Sequence, residues 1–213
     1  MRQLSLIETG DYPLGFLPES SWFSEGLLPT AFQARYQGDR LAESRTSADG
    51  VIGHIRVGAK AKADLELKPD ASQFSVIEAK LGSPLAKGVA RAPYFDQAAR
   101  NVACMAEVLK RANIQPGKLT KLDFIVLAPA YSIKKGTYHK LVQPDSIREK
   151  VGRRVAAYGG DLDSWYTQYF EPLMKVLCLH ILSWEDVIGF VGTKKPDVKK
   201  SLDDYYERCL EYN

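Results

Sequence analysis

The run from Lys60 to Leu85, K-A-K-A-D-L-E-L-K-P-D-A-S-Q-F-S-V-I-E-A-K-L-G-S-P-L, constrains this chain more than any other stretch. Lys62, Asp64 and Glu66 alternate with Ala63, Leu65 and Leu67, and Val76, Glu78 and Lys80 alternate with Ser75, Ile77 and Ala79. Period-two alternation marks a β-strand, because successive side chains leave opposite faces of the pleat. Pro69-Asp70-Ala71-Ser72 between the two arms is turn chemistry, so the stretch is expected to form a β-hairpin. With the turn centred near Ala71, Asp64 falls opposite Glu78 and Lys62 opposite Lys80. Directly opposed residues have Cβ atoms roughly 4.5–5.5 Å apart. Two carboxylates held that close repel unless a cation lies between them. Mg²⁺, which takes one or two carboxylates and keeps several waters, suits such a pair. Lys80, two residues after Glu78, projects to the same side, where its ammonium would meet a phosphate or an attacking water. The hairpin is expected to be half of a metal-dependent phosphodiesterase site.

A chain of 213 residues can bury one substantial core. With 45% hydrophobic and 26% charged residues, wholesale disorder is excluded as a class. No apolar run approaches the roughly 18 residues that span a bilayer, and M-R-Q-L-S-L-I-E-T-G lacks the apolar centre of a signal peptide. Cys104, Cys178 and Cys209 are far apart, without the paired spacing of a zinc site or a disulfide framework. Reduced thiols in a cytoplasmic protein are the expectation. A net charge of +3 is too small to demand a polyanionic partner by itself.

Along the chain, Ser20 to Tyr36 carries an apolar stripe at helical spacing, with Glu25 in it and Pro29 breaking or kinking it. Glu43 to Gly50 is polar and is expected to be loop, and Val51 to Val57 a strand. Pro93 opens a helix to about Ala112, marked by Tyr94, Ala98, Val102, Met105 and Leu109. Leu122 to Ala128 has the length of a buried strand. A basic helix is expected from Pro144 to Tyr158, another helix from Asp163 to Met174, and a strand from Val176 to Trp184. The polar stretch Gly192 to Lys200 then leads to a closing helix that ends near Tyr212. Helix, three strands, helix, strand is an α/β order that a mixed β-sheet core flanked by helices satisfies. A single domain is expected, with a core of about residues 20–128 and C-terminal helical additions over 129–213.

That order, with Asp64 on the second strand and Glu78-Ala79-Lys80 on the third, resembles the PD-(D/E)XK nuclease superfamily and its restriction-endonuclease-like fold. The resemblance covers roughly Ser20 to Ala128. It implies that Asp64 and Glu78 bind Mg²⁺ (or Mn²⁺), with the carbonyl of Ala79 as a further oxygen. It implies that Lys80 positions or activates the water and stabilises charge in the transition state. Gln97 on the following helix would reach the site edge. This is similar to the exonuclease-type branch, whose glutamine is followed four residues later by tyrosine, although Asn101 stands there in this chain. An acid from the preceding helix often completes such sites, and Glu25 is the candidate, with Glu43 its rival. The motif recurs in Glu66-Leu67-Lys68, which could pair with Asp49, and in Asp197-Val198-Lys199. Pro69 directly after the first, the loop expected around Asp49, and the missing strand around the second count against both. The literal Pro69-Asp70 lies in the expected turn.

The resemblance makes DNA the preferred substrate. Lys60, Lys62, Lys87, Arg91, Lys134, Lys135, Lys140 and the run Arg148 to Arg154 suit a phosphate backbone, which gives affinity without sequence information. Tyr131, Tyr138, Tyr158, Tyr166 and Tyr169 are candidates for stacking on bases. Many enzymes of this fold act as dimers, so a homodimer is a further expectation, and a membrane partner is not. His54, His139 and His180 lack ligand spacing and are expected to be structural or surface residues. The competing readings are a catalytically inactive nucleic-acid-binding or interaction module of the same fold, and a globular partner-binding protein with an accidental motif, whose hairpin is a solvated face with salt bridges that contribute little.

Overall fold

The computed structural model describes residues 12–43, 46–58, 63–88 and 92–212. Its centre is strand β5 (Gln73–Ala79), in which Gln73 to Glu78 are all buried. A strand buried on both faces needs partners on both edges. β2 (Thr46–Gly53) supplies one, antiparallel, through Gly50↔Ile77, Val51↔Val76, Ile52↔Ser75 and Gly53↔Phe74. β6 (Lys121–Ala128) supplies the other, parallel, from Gln73↔Lys121 to Ala79↔Leu127. β1 (Ser21–Leu28) extends the sheet antiparallel beyond β2, and β7 (Cys178–Ser183) extends it parallel beyond β6. The result is a five-stranded mixed sheet in the order β1-β2-β5-β6-β7, flanked by helices.

Helix α1 (Gln97–Ala112) crosses over between the parallel strands β5 and β6 and packs its Ala98, Val102, Met105 and Leu109 against Val51, Phe74, Val76, Phe124 and Val126. It begins later than Pro93 because Asp96 caps it, its carboxylate accepting from Ala99 N at 3.1 Å. Asn113 ends it in the left-handed conformation, and Lys110 and Arg111 sit in the last turn where the helix dipole favours cations. Two further short elements follow β6: α2 (Ala130–Lys134) and α3 (Pro144–Ala156). The opposite sheet face carries a smaller cluster of Ile52, Ile77, Ile125 and Leu127 with Leu14, Phe16, Leu182 and Trp184 around it.

The sequence expectations for β6, β7, α1 and α3 agree with these elements to within a few residues at their ends. Asp163 to Val176 is helical as well, as α4 (Asp163–Trp165), a π-helical turn (Tyr166–Phe170) and α5 (Glu171–Val176). Several expectations fail, including the loop over Glu43 to Gly50, most of which is β2. Ser20 to Tyr36 is not a helix: its first part is β1, which pairs Ser21↔Gly53 through Leu28↔Thr46. Strand partners available in β2 override the helical stripe, since β-pairing is a tertiary choice more than a local one.

A further failure concerns the expected hairpin. Its second arm is β5, but its first arm pairs elsewhere: β3 (Ile55–Val57) and β4 (Leu65–Leu67) form a separate hairpin through Ile55↔Leu67, Arg56↔Glu66 and Val57↔Leu65. The physical reason is burial. β5 requires an apolar, close-approaching neighbour, and Gly50-Val51-Ile52-Gly53 provides one where the charged arm cannot. Gly53 is needed there, because a Cβ would stand 2.3 Å from the Gln73 carbonyl oxygen. His54 fixes the departure from the sheet: its Nδ1 accepts from Ser72 N at 3.0 Å, and its Nε2 lies 2.8 Å from the Pro18 oxygen. The polar stretch from Gly192 is also helical, within α6 (Trp184–Lys194) and α7 (Pro196–Glu211). Pro196 opens the second of these, a first-turn position that needs no backbone N–H.

Much of the basic run on α3 serves the fold. Arg154 is fully buried, its guanidinium 5.1 Å from the Phe32 ring centroid and 5.6 Å from that of Tyr158. It donates to the Leu41 carbonyl and lies 3.4 Å from Glu43 Oε1, while Glu43 Oε2 lies 3.8 Å from Arg100 Nε. Burial raises the Glu43 carboxyl above its ordinary value, against the pull of Arg154 and Arg100. Lys150 is paired with Asp96 at 2.6 Å, and Arg148 donates to the Met174 carbonyl. Arg154→Ala strands a buried carboxylate and is expected to cost ~3–5 kcal/mol in urea unfolding. Arg153→Ala removes an exposed guanidinium stacked over Tyr94 and should cost under ~1 kcal/mol in the same measurement.

Candidate active site

β2 and β5 bring two carboxylates together at the end of their shared ladder. The ladder closes at Gly50↔Ile77, so the next residues on the two strands are Asp49 and Glu78. Instead of a backbone carbonyl, the side chain of Asp49 takes the next donor of β5: Ala79 N donates to Asp49 Oδ2 at 2.7 Å. Glu78 turns toward α1 and is 1% exposed. Gln97 Nε2 donates to its Oε1 at 2.8 Å and Asn101 Nδ2 to its Oε2 at 2.8 Å. Gln97 and Asn101 are four residues apart and therefore share one helix face, which is what lets two amides hold one carboxylate. Gln97 is itself oriented, its Oε1 accepting from Ala86 N at 2.7 Å.

Lys80 Nζ lies 2.6 Å from Glu78 Oε1, and the lysine's backbone is fixed from both sides. Its N–H donates to the Leu127 carbonyl at 2.7 Å, and its carbonyl accepts from Trp184 Nε1 at 2.9 Å. Burial is the largest influence on Glu78 and raises its carboxyl above the ordinary range; the hydrogen bond from Lys80 opposes this, and the negative charge of Asp49 reinforces it.

Of the residues expected at the site, Glu78, Ala79, Lys80 and Gln97 come together, and Asp64 does not. Asp64 sits at the start of β4, bridged to Leu27 on the outer side of β1, so β1 and β2 lie between it and Glu78. It lines a cavity with Arg56, Glu66 and Arg111 instead. Asp49, expected in a loop, holds the position assigned to Asp64. The signal was present: Ser47, Asp49 and Val51 alternate with Ala48 and Gly50, continuing the Val51 strand backwards. Ser, Thr and Gly give that run a loop-like composition that masks its alternation. Asn101, which departs from the tyrosine of the resembled pattern, is a working partner of Glu78.

Glu25 is on a strand, not on a preceding helix. Its neighbours pair as Ser24↔Gly50 and Gly26↔Ala48, which sets Glu25 at the level of Asp49. Its φ of 55° is a left-handed conformation that a non-glycine residue adopts at some cost, and its exposed carboxylate accepts from Ser47 Oγ at 2.8 Å. The rival Glu43 is committed to Arg154 and Arg100.

The segment after Lys80 is held by Tyr131 OH, which donates to the Leu81 carbonyl, and by Tyr138 OH, which donates to the Ser83 carbonyl. Lys87, Lys134, Lys135 and Lys140 are exposed; Lys60, Lys62 and Arg91 lie outside the described residues. Tyr131 is 46% exposed, whereas Tyr138 and Tyr158 are core residues, and Tyr166 and Tyr169 are half-buried. No family model, curated protein or solved structure matches the chain.

The raised Glu78 carboxyl has a direct consequence for stability. The unfolded chain ionises near the ordinary glutamate value of 4.5, before the folded chain does. The folded state therefore binds more protons above that pH, and stability falls as pH rises through the raised value. Glu43 contributes a slope of the same sign. Urea unfolding between about pH 4 and pH 8 should give a shallower decline for Glu78→Gln than for the wild type, because only the Glu43 part remains.

Proposed function

We propose that the chain is a metal-dependent nuclease that hydrolyses phosphodiester bonds in DNA, on a restriction-endonuclease-like core. The observation that carries the reading is the joint geometry of Asp49, Glu78 and Lys80: two carboxylates at the end of one ladder, with an ammonium 2.6 Å from the second. The sheet strands β1, β2 and β5, the crossover helix α1 and then β6 keep the strand–helix–strand part of the expected order, while its opening helix is replaced by β1. Residues 1–213 are read as one such unit, the part after Ala128 completing it.

The donor set fits a hard divalent cation. Asp49 and Glu78 offer oxygens only, and their mutual repulsion is the kind a cation relieves. Asn101 Oδ1, buried beside Glu78 without a hydrogen-bond partner, is a spare acceptor in the same place. Asp49 and Glu78 would hold Mg²⁺ (or Mn²⁺), with Glu25 and the Ala79 carbonyl as outlying oxygens. The ion supplies charge neutralisation at the phosphoryl oxygens. Lys80 orients a water toward phosphorus and stabilises the charge that builds on the phosphoryl group. Gln97 and Asn101 keep Glu78 in one rotamer. The exposed lysines 87, 134, 135 and 140 bind the backbone, and Tyr131 offers a face for a base.

Incubation with circular and linear DNA, single- and double-stranded, tests this in Mg²⁺, Mn²⁺ or EDTA. Cleavage should require metal and fall at least ~10²-fold in Asp49→Asn, Glu78→Ala and Lys80→Ala. Asp64→Asn should cleave as the wild type does; the reverse pattern, with Asp64 essential and Asp49 dispensable, would overturn the assignment. A second reading, a nucleic-acid-binding module without catalysis, is favoured by one observation: both Glu78 oxygens are already occupied by protein donors. Salt-sensitive DNA binding with no cleavage of any substrate form is its signature.

A further inference from the structure

On the other face of the sheet, at the opposite end of β5 and β6 from Glu78, three metal-ligating side chains converge. Asp123 on β6 is the register partner of Cys178 on β7, and His180 follows Cys178 by two residues, so all three leave the same face. Their ligand atoms lie within 4.8 Å of one another, and His180 Nε2 is already 3.2 Å from Asp123 Oδ1. Among the described residues this is the one group of its kind. We propose that Asp123, Cys178 and His180 form a transition-metal site, with Zn²⁺ the ion its chemistry matches.

The donor types select the ion. A thiolate and an imidazole beside a carboxylate suit Zn²⁺ and not Mg²⁺, which demands oxygens. Zinc bonds of about 2.0–2.3 Å set tetrahedral ligand atoms roughly 3.3–3.8 Å apart. The Asp123–His180 separation is already close to that edge, and Cys178 is exposed at the start of an edge strand, free to rotate inward.

The site is also supported from behind. Asp123 is 4% exposed, and Ser75 Oγ, on the neighbouring strand and fully buried, donates to its Oδ2 at 2.8 Å. That bond leaves Oδ1 turned toward His180, an outer contact of the kind that aims a ligating carboxylate. Three protein ligands leave a fourth position for water. Lys121, the cation two residues before Asp123 on the same strand, is held by the Tyr12 carbonyl at 2.5 Å. A bound ion would clamp β7 to β6 at the end remote from the Glu78 site.

Titration of the purified full chain with Co²⁺, followed by competition with Zn²⁺, tests the assignment. The expected result is thiolate-to-cobalt charge-transfer absorption that saturates at one equivalent and is displaced by Zn²⁺. Cys178→Ser should abolish the absorption and His180→Ala should weaken binding at least ~10-fold, as should Ser75→Ala through loss of the supporting bond. Cys209→Ser and Glu78→Ala should keep the wild-type thiolate-to-cobalt absorption and its displacement by Zn²⁺, which separates this site from the proposed nuclease centre. No charge-transfer absorption in the folded wild type, or absorption that survives Cys178→Ser with circular dichroism unchanged, would overturn the proposal.

Discussion

The structure depends on the double burial of β5. A strand covered on both faces and paired on both edges can place a carboxylate at its end only if that carboxylate is given partners, since a buried charge without them is prohibitive. Glu78 meets this demand with two amides of α1 and the ammonium of Lys80. The same demand fixes α1 over the sheet, because Gln97 and Asn101 must reach down to Glu78 from one helix face. Asp49 then closes the arrangement from the β2 side by taking a backbone donor that the ladder leaves over. Fold and candidate site are therefore one set of interactions, and the chemistry proposed for the site arises from charges the core has had to accommodate.

How far the sequence can be read follows from which forces act locally. The strand that carries Glu78 and Lys80 is legible because alternation is decided within a few residues, whereas Gln97 enters through the resemblance alone. The partner of Glu78 is not legible, because it depends on which distant segment pairs with β5. Both Asp64 and Asp49 precede Glu78, Asp64 in an alternating run and Asp49 in a polar one, and the nearer one is the natural choice when loop closure alone is weighed. Burial decides otherwise: β5 selects Gly50-Val51-Ile52, and register carries Asp49 along with them. Glu25 lies on a strand and not on the expected helix for the same reason.

The cysteines and histidines show a different blind spot. The metal spacings recognisable along a sequence are those of turns and helices, where two ligands stand a few residues apart. Cys178 and His180 are two apart, the interval by which a strand presents one face, and Asp123 joins them only across a parallel ladder. Nothing in a one-dimensional reading links residue 123 to residue 178. Similarly, the basic run of α3 looked like a surface for phosphate, yet Arg154 is at the centre of an aromatic cage and Lys150 is paired with Asp96.

The contact between Trp184 Nε1 and the Lys80 carbonyl changes how the part of the chain after Ala128 should be regarded. By position it resembles an appendage on a finished core. Yet β7 is the outer neighbour of β6, and the tryptophan just beyond it steadies the residue that carries the ammonium. A shortened chain ending at Ala128 would bare the edge of β6, a strand built almost wholly of buried residues, and such edges invite pairing with other chains. For anyone engineering a smaller version, the minimal unit runs at least through Trp184, and the economical place to trim lies in the helices after it.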